Sequence, residues 1–486
     1  MNRQVRRIAL IVLVLYGIVY LNLNRIQLVQ AEKLANDPRN VRLLYKEYSV
    51  ERGAVLSADG KTLAQSKATP QESLKFLREY PLGPLFAHSV GYYSVVFGRD
   101  RIERTYNKAL TGEGGVLTMQ DIGDRFLGKG HPGDTVELSI DSAVQQAATN
   151  ALGKRKGAVV ALDPQTGEIL AMVSYPSFDP NPISGHDSKV INQAWNGLQN
   201  DSAKPLLNRA TNESYPPGST FKVITAAAAL EHGKSVSTTY PSQAEFVPPQ
   251  TNKGIGNFGG KACGGDMALA LQVSCNTYFA HLGADLDPGD LEDTARKFGF
   301  GETPPLDIQA ARSRIPSTDD LRSPAFRAQT AIGQFDVSAT PLQMALVAAG
   351  IANGGKVPKP RLVKRVRDFR GVKVETYQPE VWKEAISKET ADTLTGLMVN
   401  VVDKGSGTAA QIPGIKVAGK TGTAQTREGE APHAWFICFA PADKPRIAVA
   451  VVVENGGDLG SEATGGRLAA PIAKAVLEAH RKVALW

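Results

Sequence analysis

Tyr215-Pro216-Pro217-Gly218-Ser219-Thr220-Phe221-Lys222, continued by Val223-Ile224-Thr225-Ala226-Ala227-Ala228-Ala229-Leu230, is the stretch from which the rest of the chain is read. Two prolines and a glycine are poor residues for a helix interior, whereas the alanine-rich run behind them favours a helix. The helix is therefore expected to open at Ser219. At i and i+3, Ser219 and Lys222 then share a face, and a hydroxyl and an amine come within reach of each other. A serine hydroxyl is a weak nucleophile until a base removes its proton, and a lysine serves as that base only when burial or nearby positive charge depresses its pKa. The helix start adds free backbone N–H groups that stabilise a developing oxyanion. An isolated S-x-x-K is better explained as an N-cap beside a solvated lysine.

Two further motifs change that balance. Ser274-Cys275-Asn276 is an S-x-N, and Lys420-Thr421-Gly422-Thr423 is a K-T-G followed by another hydroxyl residue. Each of the three patterns occurs once in the chain, in this order. Around them, residues 158–162 and 168–174 read as a β-hairpin across Asp163-Pro164-Gln165-Thr166-Gly167. Later strand candidates are 415–425, 434–440 and 447–453, whose short connections favour antiparallel pairing. Between the two strand groups the sequence is mainly helical: 220–231, 290–298, 341–352 and 388–402. A closing helix is expected over 468–481, with Pro471 in its first turn. The expected fold class is α+β, one antiparallel sheet covered by helices.

Upstream, residues 135–140 alternate as a strand and Asp141 caps a helical run over 142–152, so a domain boundary is placed near residue 133. Residues before it are polar and rich in turns such as Asp59-Gly60 and Gly112-Glu113-Gly114-Gly115, as in a small irregular domain. Residues 8–21 are apolar and follow Arg3, Arg6 and Arg7. At about 1.5 Å per residue this run spans ~21 Å, short of a ~30 Å hydrocarbon core without help from its flanks. Both a membrane anchor and a cleaved signal with a site at Val29-Gln30-Ala31 fit, and the anchor is preferred because no sharp helix breaker precedes Arg25. Either way the arginines stay on the cytoplasmic side and the rest is exported. The division expected is 1–31 as cytoplasmic stub and anchor, 32–133 as pedestal or docking domain, and 134–486 as the large domain.

The 486 residues, 42% hydrophobic and 21% charged, provide for two or more cores. The net charge of +7 comes without the Lys/Arg blocks of a nucleic-acid-binding arm, so no nucleic-acid partner is expected. Cys263, Cys275 and Cys438 form no C-x-x-C pair, and the seven histidines form no H-x-x-x-H, which argues against a metal site. No cofactor is expected. An odd number of cysteines leaves at least one thiol unpaired. Cys438 is expected to be buried in its strand, while Cys263 and Cys275 are a candidate pair that sequence separation leaves open.

The three motifs together resemble a penicillin-binding protein transpeptidase domain, in the superfamily that also holds the serine β-lactamases. Similar context includes Gly157-Ala158-Val159-Val160-Ala161-Leu162-Asp163, Pro176-Ser177-Phe178-Asp179-Pro180-Asn181, Asn208-Arg209-Ala210, Thr340-Pro341-Leu342-Gln343-Met344-Ala345 and Val417-Ala418-Gly419. With the anchor and Arg52-Gly53, the whole is similar to a class B, monofunctional penicillin-binding protein of the compact actinobacterial type. Two departures stand out. Ser57-Ala58-Asp59 replaces the residues the family places before Gly60, and Phe335 follows Gly333-Gln334 where the family commonly has glycine.

The resemblance implies a membrane-bound peptidoglycan D,D-transpeptidase with its catalytic domain outside the cytoplasm. Ser219 attacks a stem peptide ending in D-Ala-D-Ala, and neutral Lys222 accepts its proton. Ser274 relays a proton to the leaving amine, and Asn276 binds the substrate amide and holds Lys222. Lys420 supplies positive potential, Thr421, Gly422 and Thr423 line the carboxylate site, and the backbone N–H groups of Ser219 and Thr423 form the oxyanion hole. An acceptor amine completes the cross-link, and β-lactam antibiotics acylate the same serine. Other wall-synthesis or division proteins are expected partners. The competing enzymes are a D,D-carboxypeptidase and a β-lactamase, the latter disfavoured because no Glu-x-x-Leu-Asn segment lies between Ser274 and Lys420. The non-enzymatic competitors are a β-lactam sensor, for which only seven residues precede the apolar run, and a wall scaffold.

Overall fold

The computed structural model describes residues 2–29, 47–71, 74–113, 131–425 and 429–486. Gly114-Gly115 of the expected turn and Gln30-Ala31 of the candidate cleavage site lie outside these residues. The hairpin Gly157–Leu162 and Ile169–Tyr175 joins Ile447–Val453, His433–Ala440 and Ala418–Ala424 in one five-stranded antiparallel sheet, with Ala418–Ala424 on its edge. The two strand groups, far apart in sequence, meet where Val451 pairs with Val159.

Alternation divides this sheet between two apolar layers. Val159, Ala161, Phe436, Cys438, Val449 and Val451 pack under the helices Ser142–Leu152 and Gly465–Ala484. Val160, Ile437, Phe439, Ala448 and Ala450 face the opposite layer, which contains Pro341–Ala352 and Lys222–Glu231. Helix Pro341–Ala352 is buried on nearly every side, as its uniformly apolar sequence requires. Asp141 caps Ser142–Leu152 by accepting from the Ala143 and Val144 amides.

Several expected bounds move. The edge strand is Ala418–Ala424 rather than 415–425, because Pro413-Gly414 turns the chain and Ile415 bridges back to Ile412. The closing helix starts at Gly465, three residues early, capped by Thr464. Its two leading glycines are dictated by packing: a Cβ on Gly465 would lie 2.0 Å from the Trp435 carbonyl oxygen. Pro471 consequently sits inside the helix rather than in its first turn, where its ring removes one backbone hydrogen bond.

A second, six-stranded sheet runs in the order Lys373–Thr376, Val363–Arg367, Thr135–Leu138, Val55–Leu56, Thr62–Ala68 and Phe76–Glu79. Its strands come from both sides of residue 133 and join where Val55 pairs with Val136 in parallel; next to that join, Arg365 and Arg367 pair with Glu137. Beneath it, fully buried Glu103 is held by Arg52 at 2.6 Å and Arg78 at 2.7 Å. Burial alone would raise the Glu103 pKa, but the two guanidinium groups keep it below its ordinary value. At the amino terminus, Arg3–Leu28 is a helix of 26 residues, long and apolar enough to cross a membrane.

Candidate active site

The turn that carries Ser219 is built by Gly218. Its φ of +52° lies in the left-handed region, and a Cβ there would approach the Thr423 carbonyl oxygen to 2.9 Å. Gly218–Phe221 is therefore a tight 3-10 turn, and the α-helix begins at Lys222, not at Ser219 as the sequence pattern predicts. The i, i+3 relation of Ser219 and Lys222 survives, since a 3-10 turn also repeats at three residues. Three contacts fix this turn: Gly218 N–H donates to Gly333 O at 3.0 Å, Trp435 Nε1 to Pro216 O at 3.0 Å, and Thr220 Oγ1 to Pro217 O at 2.7 Å.

Lys222 is completely buried. Its Nζ donates to Ser274 O at 2.8 Å and to Asn276 Oδ1 at 2.7 Å; no described hydrogen bond joins it to Ser219 Oγ. Burial, and then the charge of Lys420, push its pKa well below the ordinary lysine value. A neutral amine has two protons and one lone pair. The S-x-N turn accepts both protons, which leaves the lone pair as a base.

Ser274 lies between helices Met267–Gln272 and Asn276–Asp285 with a φ of +61°, uncommon for a residue with a Cβ. The motif is braced from outside. Cys275 forms a disulfide with Cys263, with a Cα–Cα distance of 5.8 Å, while Cys438 is buried and free. Asn257 Oδ1 accepts from the Asn276 and Thr277 amides at 2.9 and 3.0 Å, and Asn276 Nδ2 donates to Gly256 O. The Asn276 amide is thereby oriented with its oxygen toward Lys222.

The edge strand closes the cluster. Lys420, also completely buried, donates to Ser274 Oγ at 2.8 Å and to Thr421 O at 2.9 Å, and burial pushes its pKa down to about 7. Gly422 admits the Ser219 turn, since a Cβ on it would lie 2.9 Å from Thr220 Cγ2. Thr421 Oγ1 is 2.6 Å from Ser406 Oγ, and Thr423 is half-buried beside Gly218. Ser219, Lys222, Ser274, Asn276, Lys420, Thr421, Gly422 and Thr423 thus lie in one continuous cluster.

The penicillin-binding protein transpeptidase domain family matches residues 157–478. The chain belongs to this family. A second family, the penicillin-binding protein A dimerisation domain, matches residues 52–136. Among similar proteins, peptidoglycan D,D-transpeptidase PbpA of Mycolicibacterium smegmatis is 41% identical over 99% of both chains. The PbpA of Mycobacterium tuberculosis H37Rv is 42% identical over 99% of both. The ceftriaxone acyl-enzyme structure of penicillin-binding protein A from M. tuberculosis covers 90% of this chain and 99% of its own, at 40% identity and a TM-score of 0.84. The penicillin G acyl-enzyme of that protein covers 89% and 99%, at 40% identity and a TM-score of 0.82.

This penicillin-binding protein also uses residues that no short motif reveals. Asn257 orients Asn276 from 19 residues away, and Trp435 holds the Ser219 turn from 219 residues away. Behind that turn, Glu454 Oε1 accepts from Arg209 and from the Tyr215 hydroxyl, each at 2.7 Å. The Asn208-Arg209-Ala210 context was legible in the sequence, but its partner Glu454 was not.

Proposed function

We propose that this chain is a serine peptidoglycan D,D-transpeptidase, using the cluster around Ser219 as its acyl-transfer site. The observation that carries the reading is the buried Lys222 amine, with both protons of its neutral form accepted by the S-x-N turn and Lys420 a neighbouring positive charge. Ser219 Oγ forms a bond to the carbonyl carbon of the penultimate D-alanine as its proton passes to Lys222. The backbone N–H groups of Ser219 and Thr423 hold the oxyanion. Ser274, hydrogen-bonded to Lys420, relays a proton to the departing nitrogen; the C–N bond breaks and D-alanine leaves. The amine of a second stem peptide then attacks the ester, its proton returns through Lys222 to Ser219 Oγ, and the peptide cross-link is complete. A β-lactam forms the same ester, but its leaving nitrogen stays tethered in the site.

Asn276 donates to or accepts from the substrate amide, and Lys420 with Thr421 and Thr423 receives the terminal carboxylate. Asn2–Val29 anchors the protein in the cytoplasmic membrane as a single pass, with the catalytic portion outside. Residues 32–133 form the docking domain for other wall-synthesis proteins and 134–486 the transpeptidase domain, although the latter lends strands to the amino-terminal sheet. The test is mass spectrometry of the intact protein after penicillin treatment, with peptide mapping, followed by product analysis on stem-peptide substrates. One adduct at Ser219 and a dimeric cross-linked product are expected. Labelling elsewhere refutes the site, and release of D-alanine without dimer assigns a carboxypeptidase.

A further inference from the structure

Thr421 has a partner that the three motifs do not include. Its Oγ1 lies 2.6 Å from Ser406 Oγ, on the turn after helix Lys388–Lys404. That turn is fixed by backbone contacts: Ser406 N–H donates to Gln272 O at 3.2 Å and Gly407 N–H to Val401 O at 2.9 Å. A Cβ on Gly405 would lie 2.3 Å from Gln272 O, and one on Gly466 2.3 Å from Ser406 O. Ser406 is thus wedged between the segment leading into Ser274, the K-T-G strand and the start of the closing helix. Its side chain is exposed whereas Thr421 is buried, so the hydroxyl pair runs from the surface into the site.

Each hydroxyl has a single proton, and the pair has two arrangements. If Thr421 donates to Ser406, the Thr421 proton is spent. If Ser406 donates to Thr421, that proton is free for an acceptor in the cleft. A carboxylate accepts and cannot donate, so its arrival selects the second arrangement and polarises the chain from Ser406 through Thr421 to the anion. We propose that Ser406 is a positioning residue, donating to Thr421 Oγ1 and committing the Thr421 proton to the terminal carboxylate of the acyl donor. The inference rests on the transpeptidase reading, in which Thr421 meets that carboxylate.

The test measures the rate of Ser219 acylation by benzylpenicillin and by its methyl ester, in the full-length protein and its variants. Ser406→Ala keeps the backbone contacts and removes only the hydroxyl. It is expected to slow acylation by the free acid about 5-fold, the scale of one hydrogen bond, and by the ester less than about 2-fold. Ser406→Thr restores the rate with the acid. In a Thr421→Val background, Ser406→Ala has no further effect, because the group it acts through is gone. Equal losses on acid and ester, no loss on either, or full additivity with Thr421→Val each overturn the proposal. A wild-type protein that acquires no adduct at Ser219 overturns the transpeptidase reading itself, a result distinct from these.

Discussion

Replacing Lys222 by methionine separates the role of its amine from the space it fills. Methionine matches the lysine stem in length and suits a buried site, but it has neither donor nor lone pair. Two consequences follow from the geometry. Ser274 O and Asn276 Oδ1 lose N–H partners at 2.8 and 2.7 Å, which costs about 1–3 kcal/mol for each acceptor that stays dry. The buried polar amine disappears as well, which offsets part of that loss. The net change in folding stability is therefore expected within about 2 kcal/mol. Acylation behaves differently, because general-base assistance contributes about 10²–10⁴-fold. The rate of labelling by a fluorescent penicillin should fall by at least ~10²-fold, about 2.7 kcal/mol of transition-state stabilisation. Thermal unfolding measured on the same preparation keeps the two effects apart. Lys222→Arg sharpens the test, since a guanidinium places a positive charge there but cannot act as a base near neutral pH. A folded Lys222→Met protein labelled within a few-fold of the native rate would refute the base assignment. So would full activity in Lys222→Arg, which would reassign the amine as a charge.

The pH profile provides an independent check. Lys222 acts neutral and Lys420 charged, so kcat/KM for a carboxylate substrate should fall at acid pH as Lys222 gains a proton, and fall again above about 7 as Lys420 loses one. Lys420→Met should remove the alkaline limb and move the acid limb upward, because the charge that depresses Lys222 is gone; an unchanged profile contradicts the pairing. Reducing the Cys263–Cys275 bridge opens a short loop, with a sequence separation of 12, and should cost up to about 3 kcal/mol, read as a lower unfolding midpoint in a non-thiol reductant. Glu454→Ala leaves Arg209, 4% exposed at its side chain, without its carboxylate, and should destabilise by about 3 kcal/mol in chemical denaturation while slowing acylation through the freed Tyr215. Gly333→Ala places a Cβ 2.1 Å from Gly218 O at a φ of +73°, and the displaced nucleophile turn should slow penicillin labelling by roughly 10²-fold.

The sequence by itself determined the elements and the chemical inventory. Short apolar runs bounded by turn residues in 157–175 and 433–453 specify strands, uniform apolarity in 341–352 specifies a buried helix, and the three motifs single out the candidate site residues, because each of these signals lies within a few residues. Proline and glycine before Ser219 also mark the Ser219 turn locally, although not its 3-10 geometry, which comes from the approach of Thr423 and Gly333. Tertiary structure alone decided that Ile447–Val453 pairs with Gly157–Leu162, that Cys263 bonds Cys275, and that strands after residue 133 complete the six-stranded sheet. It also decided that Lys222 directs its protons to the S-x-N turn, that Asn257, Trp435 and Glu454 hold the motif segments, and that Ser406 meets Thr421. The physical reason is distance. A periodic pattern reports which face of an element is apolar, but a hydrogen bond between residues 15 to 239 positions apart leaves no local trace, since any polar side chain reads alike until folding supplies its partner.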